Sequence, residues 1–217
     1  MRLTKYILII LLFVSCVSGS VQKDSNMLRL PKEKLNISEV DTEIKKTKEY
    51  IKLNPKDEKL HYNLGICYIE KEEYKNAEAS FAKAIELKPD FADAYCNLGN
   101  VYLETEKPEK AIEQYKKALS LDPKHTRSYV GAGVSYYNLK KYKEAEESLN
   151  KAIELNPSFS FSHYLLGLVY KEMKKKDEAI KEFNKVIEID GHQGEMVDKT
   201  LIELEKLGYK ILRIKNK

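Results

Sequence analysis

The 217-residue sequence has no tryptophan, three cysteines and six prolines. Cys16, Cys67 and Cys96 form no CxxC and show no metal-ligand spacing, which excludes zinc-finger and dithiol frameworks. The four histidines are scattered and no HExxH occurs, so no metal site and no cofactor is expected. Net charge is also scarce: 38 basic residues against 34 acidic ones leave +4. Basic runs are answered locally, as where Asp177 and Glu178 follow the lysines at 174–176, so no basic face for nucleic acid is expected. The sequence also lacks GxSxG, a phosphate loop, and any carboxylate pair that helix packing would leave unexplained. Without a base, a nucleophile and a place to hold charge, the reading is not that of an enzyme.

Apolar runs are few, and the notable one lies at the start. "YILIILLFV" at 6–14 follows Arg2 and Lys5 and is short for a membrane span, which reads as a secretory signal. Two processing outcomes fit, beside an uncleaved signal anchor. "VSG" before Ser20 is a small-residue cleavage site, and "FVSC" at 13–16 resembles the lipobox of bacterial lipoproteins, with cleavage before Cys16. Val14 and Ser15 match that pattern, while Phe13 stands where it usually has leucine. Acyl chains on Cys16 would bury on the order of tens of CH₂ groups at about 0.8 kcal/mol each, which suffices to hold a soluble domain on a membrane. The organisation expected is a signal at 1–15 and a polar tether at 16–37 carrying Pro31. The Lys-, Ile-, Asn- and Glu-rich composition agrees with a bacterial cell-envelope location outside the cytoplasm.

The prolines that are present carry the register. Pro55, Pro89, Pro123 and Pro157 close the phrases "LNPKD", "LKPDF", "LDPKH" and "LNPSF" and stand 34 residues apart. On the same period fall Gly65, Gly99, Gly133 and Gly167, then Tyr68, Tyr102, Tyr136 and Tyr170. Ala77, Ala111, Ala145 and Ala179 follow, then Phe81, Tyr115, Leu149 and Phe183, then Ala84, Ala118, Ala152 and Val186. These columns resemble the tetratricopeptide repeat (TPR) family. The resemblance implies an all-α, right-handed α-solenoid of helical hairpins with flanking capping helices. Four repeats at 58–91, 92–125, 126–159 and 160–193 are bracketed by a lone second helix at 38–55 and by a capping helix and tail at 194–217. Glycine lets the two helices of a pair approach, despite about 1 kcal/mol of lost helix propensity, and each proline stops a second helix. Where the family opens with tryptophan, this sequence has His61, Tyr95, Tyr129 and His163, read as packing residues.

In such an array the first helices line a concave groove. The helical phase assigns to it Lys59, Tyr62, Ile66 and Ile69; Asp93, Cys96, Asn100 and Leu103; Arg127, Val130, Val134 and Tyr137; and Phe161, Tyr164, Leu168 and Lys171. An open, largely apolar lining of this kind points to a protein or peptide partner. A two-carboxylate clamp for acidic chain ends is not supported. Asn97 and Arg127 match two of its positions, but Tyr62, Ile66 and Gly131 stand where Lys, Asn and Arg are needed. Cys67 falls in a buried column, and Cys96 is expected near the groove as an exposed thiol. The function implied is an envelope scaffold or adaptor, an assembly factor by resemblance to bacterial TPR lipoproteins. A secreted, unlipidated adaptor or a non-catalytic subunit of a wall-modifying enzyme system remain open beside it.

Overall fold

The structure, a computed structural model, describes residues 37–191 and 194–209. The signal segment, Cys16, the tether up to residue 36 and the tail from residue 210 lie outside the described residues. The described residues form helices and no strand, and the chain divides after Pro123 into two compact units.

The first unit holds α1 (Ile37–Leu53), α2 (Glu58–Glu70), α3 (Tyr74–Leu87), α4 (Ala92–Glu104) and α5 (Pro108–Leu121). The second holds α6 (Thr126–Asn138), α7 (Tyr142–Leu155), α8 (Ser160–Glu172), α9 (Lys176–Asp190) and α10 (Glu195–Lys206). Each first helix is 13 residues long, so its start recurs with the 34-residue period of the prolines. Local chemistry fixes the starts. Asp57 accepts the Lys59 amide at 2.9 Å in front of α2, and Pro108 opens α5, where a missing N–H costs nothing.

The turn inside each hairpin is built the same way in both units. Glu72, Glu106, Lys140 and Lys174 all adopt left-handed φ values of 58° to 60°. The amides of Glu72 and Glu73 return to the carbonyls of Ile69 and Tyr68 at 2.8 Å, and the other three turns repeat this two-bond C-cap. Glycine would suit this backbone best, yet none of the four turns uses it.

Close approach dominates the hairpin interior. A Cβ placed on Gly99 would stand 2.7 Å from the Tyr115 ring, and one on Gly167 would stand 2.5 Å from the Phe183 ring. In both units the alanine columns and the bulky side chains opposite these glycines are fully buried, Ala77 and Phe81 in the first and Ala179 and Phe183 in the second. Successive hairpins are tied by tyrosine. Tyr102 donates to Glu78 at 3.0 Å in the first unit, and Tyr170 bonds Glu146 in the second. Burial and these carboxylates push both phenols up to about 12.

The two ends depart from the repeat in a consistent direction. α1 ends at Leu53 before Asn54 and Pro55, as α3 ends at Leu87 before Lys88 and Pro89, and it buries Val40, Ile44 and Thr47. At the positions of Ala77 and Ala84, however, α1 has exposed Glu43 and Tyr50, so this face has nothing packed on it in the way that the alanine columns do. α10 lies one period after α8 and buries Met196, Val197, Thr200 and Leu204.

Candidate binding face of the first helices

Tyr62 is the best-supported side chain on this face in the first unit. Its ring lies 4.8 Å from that of Phe91 and 5.7 Å, edge-on, from that of Phe81, and its hydroxyl accepts the Asn97 side-chain amide at 2.8 Å. Asn97 accepts from Asn100 at 3.3 Å, and Asn100 accepts the buried Tyr115 hydroxyl at 2.7 Å. Tyr62 stays half-buried; of the other residues predicted for this face, Lys59 is exposed and Asp93 half-buried.

The expectation of an open apolar lining needs correction. Ile66, Ile69, Cys96, Asn100 and Leu103 of the first unit are buried, as are Val130, Val134, Phe161, Tyr164 and Leu168 of the second. Within each unit a first helix such as α4 or α8 is enclosed by its own second helix and by the one before it, so its short apolar side chains are absorbed into those contacts. The accessible part of the predicted stripe is therefore polar-tipped. It comprises Lys59, Tyr62 and Asp93 in the first unit and Arg127, Tyr137 and Lys171 in the second. Tyr164 belongs to the core, 5.9 Å from the Phe183 ring, and Tyr137 packs on Tyr142 at 5.8 Å. Burial pushes both phenols up to about 12.

In the second unit α10 reaches this face. Glu203 accepts from Lys171 at 2.5 Å and from Lys206 at 2.7 Å. Burial alone would raise the Glu203 carboxyl, but the two ammonium groups outweigh it and hold it below the usual carboxylate range. Sequence reasoning missed Glu203, whose position in earlier repeats holds Cys67, Val101, Ser135 and Val169. The available signal was a glutamate in an apolar column, three residues before a lysine.

The cysteines and histidines have structural surroundings. Cys96 is 1% exposed, which corrects the expectation of an accessible thiol. Burial pushes the Cys67 thiol up to about 11, leaving it little thiolate character. His163 bonds Glu182 through Nδ1 at 2.7 Å and the Pro157 carbonyl through Nε2 at 3.0 Å, and His61 reaches the Pro55 carbonyl at 3.1 Å. A histidine in the column where the family has tryptophan thus ties the first helix back to the preceding loop. Among the described residues no group of three or more His, Cys, Asp or Glu side chains could hold a metal ion.

This arrangement defines the class. Hairpins of 34-residue period, closed by glycine against a bulky side chain, are tetratricopeptide hairpins, and the chain belongs to the tetratricopeptide repeat family. Family profiles described as "Tetratricopeptide repeat" match residues 92–125 and 127–159, and another of that description matches 162–193. A profile described as "TPR repeat" matches 67–106. Among solved structures, the chain is similar to a protein characterised as Pseudomonas aeruginosa pilF at 30% identity. That match covers 69% of this chain and 68% of the other, with a TM-score of 0.62. It is also similar to the MamA protein at 26% identity, over 71% and 85% of the two chains, with a TM-score of 0.64. YrrB, described as a TPR protein with an unusual peptide-binding site, is 22% identical over 78% and 85%, with a TM-score of 0.63, and shares the fold. None of the curated proteins compared with the chain matches it. The fold is an all-α TPR solenoid, and the family and its neighbours make the chain a protein-interaction scaffold.

Proposed function

We propose that this protein is a cell-envelope scaffold or adaptor, acting as an assembly factor, that binds a protein or peptide segment on the first-helix face of its repeats. The observation that carries the reading is the cluster of Lys59, Tyr62 and Asp93. An aromatic ring held in place by Phe81, Phe91 and Asn97 remains half-accessible on the face to which the helical phase also assigns Lys59 and Asp93. Such a ring offers contact area at little entropic cost, and a lysine and an aspartate predicted on the same face favour a partner segment that carries both signs. The description of YrrB as having a peptide-binding site supports the same use of the fold.

The membrane part of the reading rests on residues 1–16, where the apolar run ends at Cys16 in the lipobox-like "FVSC". Among the described residues no helix is long and apolar enough to cross a membrane, and the reading assigns attachment to an acylated Cys16. Metabolic labelling with an acyl-chain probe tests it. Label on the wild type that disappears in Cys16→Ala is expected. Unlabelled wild type, or label that survives the substitution, removes the lipid anchor and leaves a secreted adaptor. Partner binding is tested separately, by crosslinking in intact cells followed by mass spectrometry of the captured chain.

A further inference from the structure

Within the described residues the chain opens and closes on half a repeat. α1 is a second helix without a first. α10 is a first helix without a second, and it leaves through the same turn as the others. Gly208 has φ 75°, and the amides of Gly208 and Tyr209 return to Glu205 and Leu204, as those of Lys174 and Lys175 return to Lys171 and Tyr170. From this geometry we infer that α10 of one copy pairs with α1 of a second copy, completing a tetratricopeptide hairpin head to tail.

Three features support a second copy as the occupant. The first is steric. The built hairpins set a glycine against a bulky side chain, as with Gly65 and Phe81. At the corresponding positions α10 has half-buried Leu201 and α1 has Thr47, which already packs within its own unit, so the α1 side carries no ring for the leucine to clash with. The second is apolar exposure. Ile202 beside Leu201 is 51% exposed, and Tyr50, one turn from Thr47, is 56% exposed. The third is charge. In an antiparallel pair the start of α10, where Asp198 is exposed and Glu195 pairs with Lys199 at 2.9 Å, lies beside the later half of α1, where exposed Lys45, Lys46, Lys48 and Lys52 outnumber Glu49. Where Glu182 meets His163 across a built hairpin, the pair has Lys46 opposite Val197, with Asp198 adjacent. Contact between two different ends is heterologous, so each copy added leaves a further α1 and α10 to pair and the assembly grows past a dimer.

Sedimentation velocity of the full chain tests this over a roughly hundredfold concentration range. The sedimentation coefficient is expected to rise throughout without stopping at a dimer. Lys46→Glu should weaken association by roughly tenfold, and adding Asp198→Lys to the same chain should restore it. Far-UV circular dichroism confirms that both variants fold as the wild type does. A monomer at every concentration, a plateau at a dimer, or association indifferent to Lys46→Glu would overturn the inference. So would a chain stopped after Tyr209 that associates while the full chain does not, because residues 210–217 would then be the occupant.

Discussion

Asn97 of α4 donates its side-chain amide to the Tyr62 hydroxyl of α2 at 2.8 Å, joining two successive first helices. The bond continues a buried chain through Asn100 to Tyr115 of α5. It also accounts for the failure of the carboxylate-clamp reading in physical terms: Asn97 is 1% exposed and its amide is already committed. Asn97→Ala leaves the Asn100 amide without its partner and should destabilise the protein by about 1–3 kcal/mol. Denaturant unfolding measures this. An unchanged midpoint would mean the network carries no stability.

Glycine in the hairpins is expected to outweigh helix propensity. On an open helix Gly→Ala would gain about 1 kcal/mol. At Gly99 the new methyl would lie 2.7 Å from the Tyr115 ring, so Gly99→Ala should lower the melting temperature, and Gly99→Leu should cost about 1–3 kcal/mol through overpacking. A stabilising Gly99→Ala would show that the ring moves aside at no cost.

The hairpin turns invite the opposite substitution. Lys140 has φ 59°, where a side chain is disfavoured by roughly 1–2 kcal/mol, while glycine loses more backbone entropy on folding. Lys140→Gly should therefore stabilise by about 0.5–1 kcal/mol, read from the same unfolding curves. A loss of stability would mean that the lysine side chain makes contacts worth more than the strain.

His163 gives the protein a pH-dependent contribution. The bond to Glu182 raises its pKa above the ordinary 6.5, against the opposing effect of burial. A group with a raised folded pKa stabilises fully below its unfolded value and loses that effect as pH climbs through the folded one. The melting-temperature difference between wild type and His163→Gln should accordingly be largest below pH 6.5 and shrink above it. A difference that is constant with pH would assign His163 a packing role alone.

Much of the fold was legible because helix starts and stops are local. Prolines 34 residues apart and glycines in step set the hairpins, and α2, α4, α6 and α8 begin at the residues that register predicts. Burial on the first-helix face was less legible, since it depends on enclosure by two neighbouring helices that a single helical phase does not contain. Leu168 and Tyr164 therefore looked like lining and proved to be core. The left-handed turns were invisible for another reason: glutamate and lysine there give no sign of positive φ, which hydrogen bonds from the next residues impose.

The central claim, that the first-helix face of the first unit receives a partner, is tested most directly by site-specific photocrosslinking in intact cells. A photoreactive residue in place of Lys59 or Asp93 should give a discrete adduct with one partner chain, and Tyr62→Ala should diminish it. The same residue in place of Lys83 or Lys117 on the second helices should give none. Adducts arising only from the second-helix positions would contradict the account.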